Sequence, residues 1–75
     1  MQELVEYVAQ AVVDQPEAVH VHREEGRDRV VLYLEVAPSD VGKVIGRQGR
    51  VAQAMRALLK VASAREGKRG ILEIN

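Results

Sequence analysis

The chain has 75 residues, no cysteine, and 11 basic against 11 acidic side chains, so its formal charge at neutral pH is zero. That length suits one small core and leaves no room for a second domain. The lack of cysteine excludes disulfides and thiolate metal sites and points to a reducing compartment, the cytoplasm. Glu3, Glu6 and Asp14 interrupt the N-terminal apolar residues, with no basic leader and no long apolar run, so neither a signal peptide nor a membrane span is expected.

Residues 3 to 13 place Leu4, Val5, Val8, Val12 and Val13 at helical spacing, with Glu3, Glu6 and Gln10 on other faces, which predicts an amphipathic first helix ended by Pro16. Val19-His20-Val21-His22 alternates apolar and polar, as a strand with one buried face does. Glu24-Glu25-Gly26-Arg27-Asp28 reads as a turn. Arg29 to Val36 then sets Val30, Leu32, Leu34 and Val36 on one face and Val31, Tyr33 and Glu35 on the other, which makes a second strand, antiparallel to the first.

Pro38-Ser39-Asp40 stops that strand and offers a capping oxygen for a short helix over Val41 to Ile45. Gly46-Arg47-Gln48-Gly49 follows. From Arg50 to about Ala64, the residues Val51, Ala52, Met55, Leu58, Leu59 and Ala62 form one core stripe on a long helix. Arg65 to Gly70 is a basic turn, and Ile71 to Ile74 a closing strand with Leu72 and Ile74 inward. A strand that returns through a helical crossover runs parallel to the one before it. The expected fold is therefore α+β, in the order helix-strand-strand-helix-helix-strand. It has a three-stranded mixed sheet, the Arg29–Val36 strand in the middle, and the helices packed on one face.

The zero net charge conceals a division. From Met1 to Gly42 there are nine acids (Glu3, Glu6, Asp14, Glu17, Glu24, Glu25, Asp28, Glu35, Asp40) and three bases (Arg23, Arg27, Arg29). From Lys43 to Arg69 there are eight bases (Lys43, Arg47, Arg50, Arg56, Lys60, Arg65, Lys68, Arg69) and one acid, Glu66. An acidic half and a basic half in one small chain suggest a polyanion bound to one face.

The glycine loop lies at the junction. Glycine reaches positive φ and has no Cβ, so two glycines three apart permit a tight turn and the close approach of another backbone. A loop that feeds a helix N-terminus also presents free N–H groups to an anion, and Arg47 and Arg50 add full charges there. Nucleotide-binding motifs do not fit. A P-loop requires Gly-Lys-Ser/Thr with a glycine five positions upstream, whereas Gly42-Lys43 is followed by Val44 and the upstream position is Ala37. A dinucleotide fingerprint lacks its first glycine and its preceding strand. Taken alone, Gly-x-x-Gly permits a mere helix-to-helix turn; its apolar and basic neighbours favour a clamp for a nucleic-acid strand.

Val41-Gly42-Lys43-Val44-Ile45-Gly46-Arg47-Gln48-Gly49 resembles the signature of the KH domain, whose G-x-x-G loop clamps the backbone of single-stranded RNA or single-stranded DNA. The element order is similar to the prokaryotic type II arrangement over essentially the whole chain, 1–75, and the resemblance extends to the small bacterial single-KH proteins of the KhpA family. It implies a non-catalytic, cytoplasmic RNA-binding or RNA-chaperone protein with no cofactor and no metal, linked to cell elongation and division. Its partners would be RNA and a second KH chain, as a homodimer or as a heterodimer with a KhpB (Jag) protein. By position, Gly46, Arg47, Gln48 and Gly49 would contact the sugar-phosphate backbone, and Lys43 and Arg50 would flank the phosphates. Val41, Val44 and Ile45 would form the apolar groove floor, with Val51 a weaker candidate. With no Phe or Trp, and only Tyr7 and Tyr33, base stacking is not the expected mode.

Among the remaining residues, His20 and His22 share a strand face, where a solvated pair is favoured over a metal site because no third ligand is near. Tyr33 is favoured as a cross-strand packing residue. Ala54, Ala57 and Val61 form a small-residue stripe that is either plain surface or a place for another helix to approach. Arg56 and Lys60 read as a solvated face. No Ser-His-Asp arrangement is plausible, and Asp40 is better explained as a helix start than as a catalytic carboxylate.

Overall fold

A computed structural model describes all 75 residues. The elements are α1 (Gln2–Val12), β1 (His20–Glu25), β2 (Arg29–Glu35), α2 (Val41–Ile45), α3 (Arg50–Ala64) and β3 (Arg69–Ile74), with short 3₁₀ turns at Pro16–Ala18, Pro38–Asp40 and Arg47–Gly49. β2 is central, antiparallel to β1 and parallel to β3. α1 lies over β1 and α3 over β3, on the same side of the sheet.

The alternation in β2 is what makes this possible. Val30, Leu32, Leu34 and Val36 all point into a core that also takes Val5 and Ala9 from α1, Val44 from α2, Met55 and Leu59 from α3, and Leu72 from β3. Each large aliphatic side chain so buried contributes about 1.5–3 kcal/mol against the chain entropy.

Several boundaries differ from those the sequence suggests. β1 runs on through Glu24 and Glu25, which pair with Val31 and Val30, so the turn shrinks to Gly26–Asp28. Two interactions outweigh the poor strand propensity of glutamate. The Gly26 N–H donates to the Arg29 carbonyl at 2.8 Å, and the Glu25 carboxylate takes hydrogen bonds from Lys68 and Arg23. Those cations, Lys68 first, hold the Glu25 carboxyl below its usual range. α1 ends at Val12, ahead of Pro16, because Val13 is already extended. Leu58, read as core, is 49% exposed, and Leu4 is 43% exposed, because each lies on the flank of its helix rather than under it. Asp40 makes no capping hydrogen bond to α2. It is 1% exposed and accepts the backbone N–H groups of Asp14 at 3.3 Å and Gln15 at 3.1 Å. It thus fastens the segment after α1 to the start of α2.

β3 begins two residues before the expected Ile71, and the reason is Gly70. It pairs with Val30, and a Cβ there would sit 2.5 Å from Ser63 Oγ, 2.7 Å from Leu59 Cγ and 2.8 Å from the Leu59 carbonyl oxygen. The last turns of α3 rest directly on the strand backbone. Gly70→Ala is therefore expected to destabilise the fold by about 1–3 kcal/mol through overpacking, whereas Gly42→Ala, with nothing near its added methyl, should not destabilise it. Urea unfolding of the two variants checks this contrast.

Candidate nucleic-acid interface

α2 and α3 meet at the glycine loop. Gly46 takes φ +82° and ψ 170°, Gln48 φ 57° and ψ 25°, and Gly49 φ +73° and ψ 14°. Three of four residues thus stand in conformations that L side chains avoid. At Gly46 a second constraint applies: a Cβ would lie 2.6 Å from Cγ2 of Val51 and 2.9 Å from its Cβ. Val51, half-buried on the first turn of α3, is packed against the Cα of Gly46 and holds the loop in place. Gly49 has room for a methyl, and its positive φ is what selects glycine there.

The loop closes on itself through Gly46 N–H to the Gly42 carbonyl at 2.9 Å and Gly49 N–H to the Gly46 carbonyl at 3.0 Å. Arg47 and Gln48 are therefore turned outward and are exposed. Arg50 donates to Gln48 Oε1 at 3.2 Å, and neither Arg47 nor Arg50 has an acidic partner. Two uncompensated guanidinium groups thus flank a tight backbone turn at the start of a 15-residue helix.

The other expected site residues divide by environment. Val41 and Ile45, one turn apart on α2, are half-buried and 39% exposed, and they form an apolar patch beside the loop. Val44 is 0% exposed. It belongs to the core and supports that patch from beneath, so it offers no surface to a base. Lys43 is exposed, but its ammonium is engaged by Asp14, with Asp40 Oδ1 at 3.6 Å. The Asp14 hydrogen bond, opposed by desolvation and reinforced by the two negative charges, raises the Lys43 pKa above the ordinary lysine value. Lys43 is thus a cation already paired within the chain.

His20 and His22 project from the opposite, helix-free face of the sheet, with the His22 ring 6.3 Å from that of Tyr33. No group of three or more His, Cys, Asp or Glu side chains is placed to hold a metal ion. No helix is long and apolar enough to cross a membrane. Asp14 is the site residue that sequence reasoning missed. It stands 29 positions from Lys43, and no local pattern joins them.

A three-stranded mixed sheet covered on one face by three helices, with a two-glycine loop between the last two helices, is the architecture of a KH domain of type II order. The family described as "KhpA/KhpB, KH domain" matches residues 2–74. The chain is 49% identical over 74 residues to the RNA-binding protein KhpA of Clostridium perfringens, with 99% of each chain covered. It is 53% identical over 74 residues to that of Caldanaerobacter subterraneus subsp. tengcongensis, again with 99% of each covered. With the KhpA of Aquifex aeolicus the identity is 43% over 74 residues, covering 99% of this chain and 94% of the other. The chain belongs to the KhpA/KhpB KH-domain family, a non-enzymatic kind of domain.

The loop geometry makes different predictions at two positions only two residues apart. Gly46→Ala combines positive-φ strain with the Val51 collision and should cost about 2–4 kcal/mol. Gln48→Gly removes left-handed strain but adds unfolded-state entropy, so stability should stay within about 1 kcal/mol of the parent. Thermal unfolding of both variants measures the difference.

Proposed function

We propose that residues 1–75 act as one KH domain that holds single-stranded RNA, without catalysis, at Gly46, Arg47, Gln48 and Gly49. Arg50 flanks the phosphates, and the apolar patch of Val41 and Ile45 lies beneath the bases. The observation that carries this reading is the loop itself: a fixed turn, free of side-chain bulk at Gly46 and Gly49, with Arg47 and Gln48 exposed and the guanidinium groups of Arg47 and Arg50 without an acidic partner. Relatives named RNA-binding protein KhpA cover the same length of chain. A groove with so little apolar surface seats few bases, and backbone contacts position a strand without specifying its sequence. A cytoplasmic RNA chaperone or post-transcriptional regulator of broad target range fits that chemistry. The link to cell shape and cell-wall biogenesis that the resemblance implies would follow from its RNA targets.

Arg47→Asp combined with Gln48→Asp tests the reading. Both side chains are exposed, and aspartate tolerates the left-handed backbone at position 48 better than most residues. The double variant should keep its circular dichroism spectrum and thermal midpoint while losing affinity for single-stranded RNA by tenfold or more, about 1.4 kcal/mol. Parent affinity should fall with salt at a log-log slope of about −0.7 per neutralised phosphate. Unchanged RNA binding by the folded double variant would refute the clamp.

A second reading is favoured by one observation: on α3, Leu58 is 49% and Val61 59% exposed, beside the exposed Ala54 and Ala57. That stripe would let α3 pair with the same helix of another KH chain, a second copy or a KhpB/Jag-like protein, and two linked domains bind RNA with greater avidity than one. Ala57→Arg should then abolish helix-mediated pairing in sedimentation while leaving the RNA affinity of the single domain unchanged.

A further inference from the structure

The helix-free face of the sheet carries a hollow whose polar groups are sorted by sign. The register sets Arg29 beside Arg69, Val31 beside Ile71 and Tyr33 beside Glu73, with Glu35 at the far end of β2. Arg29, Val31, Tyr33, Glu35, Ile71 and Glu73 line an open hollow of about 590 Å³, a size within the roughly 300–1,000 Å³ of small-molecule sites. Val31 is 7% exposed although it faces away from the helices, and with the half-buried Ile71 it makes an apolar floor. Tyr33 stands beside that floor at 39% exposure, its other neighbour being the His22 ring.

Two guanidinium groups directly opposite on neighbouring strands repel one another. Neither Arg29 nor Arg69 takes part in any ion pair or side-chain hydrogen bond of the chain, and the same is true of Glu24, Glu35 and Glu73 on that face. The fold thus keeps two like charges side by side and uncompensated. An anion seated between them turns that repulsion into two charge-assisted contacts.

We infer that the hollow binds a free guanine nucleotide. The 5′-phosphate lies between Arg29 and Arg69, whose forked donors suit bidentate contact with phosphate. The base rests on Val31 and Ile71 against the Tyr33 ring, and Glu73 accepts hydrogen bonds from its pairing edge. At about 3.3 Å per residue, the arginine row and the Tyr33–Glu73 row are about 13 Å apart. That separation lets arginine and glutamate side chains reach the two ends of one nucleotide lying between them.

Two features select this ligand class. An ionised carboxylate only accepts hydrogen bonds, and guanine alone among the four bases presents two donors side by side, N1–H and N2–H, to its two oxygens. The charges then favour a single nucleotide over a strand. Glu24, level with Val31, and Glu35 and Glu73 beyond it surround the floor on the sides away from the arginines. A running RNA strand would carry further phosphates over those carboxylates, whereas a mononucleotide places its one anionic group at the one basic end. The glycine loop and the helices lie on the other side of the sheet, so this site stands independently of the RNA reading.

Titration of the whole chain with guanosine 5′-monophosphate, followed by amide NMR shifts, tests it. The nucleotide should bind with a Kd at or below about 1 mM, moving the amides of Val31, Tyr33, Ile71 and Glu73 and leaving those of Gly46 to Gly49 in place. Adenosine 5′-monophosphate and inorganic phosphate should each bind at least about fivefold more weakly. Arg69→Gln should weaken guanosine monophosphate binding at least about tenfold. It also relieves the repulsion, so the free variant should melt no lower than the parent, an outcome that a purely structural arginine would not give. Tyr33→Phe should bind like the parent and Tyr33→Ser about tenfold more weakly. Glu73→Gln should bring the guanosine and adenosine monophosphates to equal affinity. No shift up to about 10 mM guanosine monophosphate, shifts confined to the glycine loop, or equal binding of adenosine monophosphate or phosphate by the parent would overturn the proposal. So would an oligoadenylate that moves the same four amides at lower concentration than the mononucleotide, because the face would then be a polyanion surface. Should Arg69→Gln fail to fold, Arg29→Gln takes its place, and parent-like affinity in either folded variant overturns the phosphate contact.

Discussion

One absent methyl group determines how closely the two layers meet. Leu59 and Ser63 rest on the backbone of Gly70, so α3 lies lower on the sheet than a side chain at that position would allow. The position of α3 then fixes everything attached to it. Its first turn carries Val51, and Val51 bears on Gly46, so the shape of the glycine loop depends on where the helix is seated. A rigid scaffold contact at one end of α3 thus sets the geometry of the candidate site at the other. That suits a protein whose site needs an ordered backbone rather than reactive side chains.

Electrostatics divides differently in space than along the chain. The basic half between Lys43 and Arg69 does not form one free positive surface. Lys43 is held by Asp14 and Asp40, and Lys68 by Glu25. The free cations of that half are Arg47 and Arg50 at the loop, Arg56, Lys60 and Arg65 on or just after α3, and Arg69 on the helix-free face. The acidic half in turn supplies structural groups. Asp40 joins the end of α1 to α2, and Glu25 ties the β1–β2 turn to the segment before β3. The charges that matter for a polyanion are the ones left over after folding.

The elements readable from sequence are those written in a local period. Alternation from Val30 to Val36 gave the central strand and its inward face, and helical spacing gave α1 and α3. The crossover rule then supplied the mixed sheet. The glycine loop was legible because its chemistry is contiguous. What the sequence hid depends on contacts between distant residues. Nothing near Asp40 announces that its carboxylate serves two N–H groups some 25 positions earlier, and a Pro-Ser-Asp run looks like a helix start. Val44 and Ile45 are adjacent and alike in composition, and only the packing of α2 makes one of them core and the other surface. Leu58 sits near the edge of the stripe that holds Leu59, where a few tens of degrees around the helix separate burial from exposure.

The Lys43–Asp14 contact turns ligand capture at that position into an exchange. A phosphate that takes the Lys43 ammonium has to displace a carboxylate already bound to it, and during its approach it meets the negative charge of Asp14. Long-range attraction toward this corner is correspondingly weak, and a passing polyanion gains little there. In the proposed clamp, a strand already seated on the loop and on Ile45 would complete the exchange, because its phosphate would be delivered at high local concentration. Under that proposal the pairing would discriminate by residence, giving little to brief encounters and adding its contribution only once the backbone is in register.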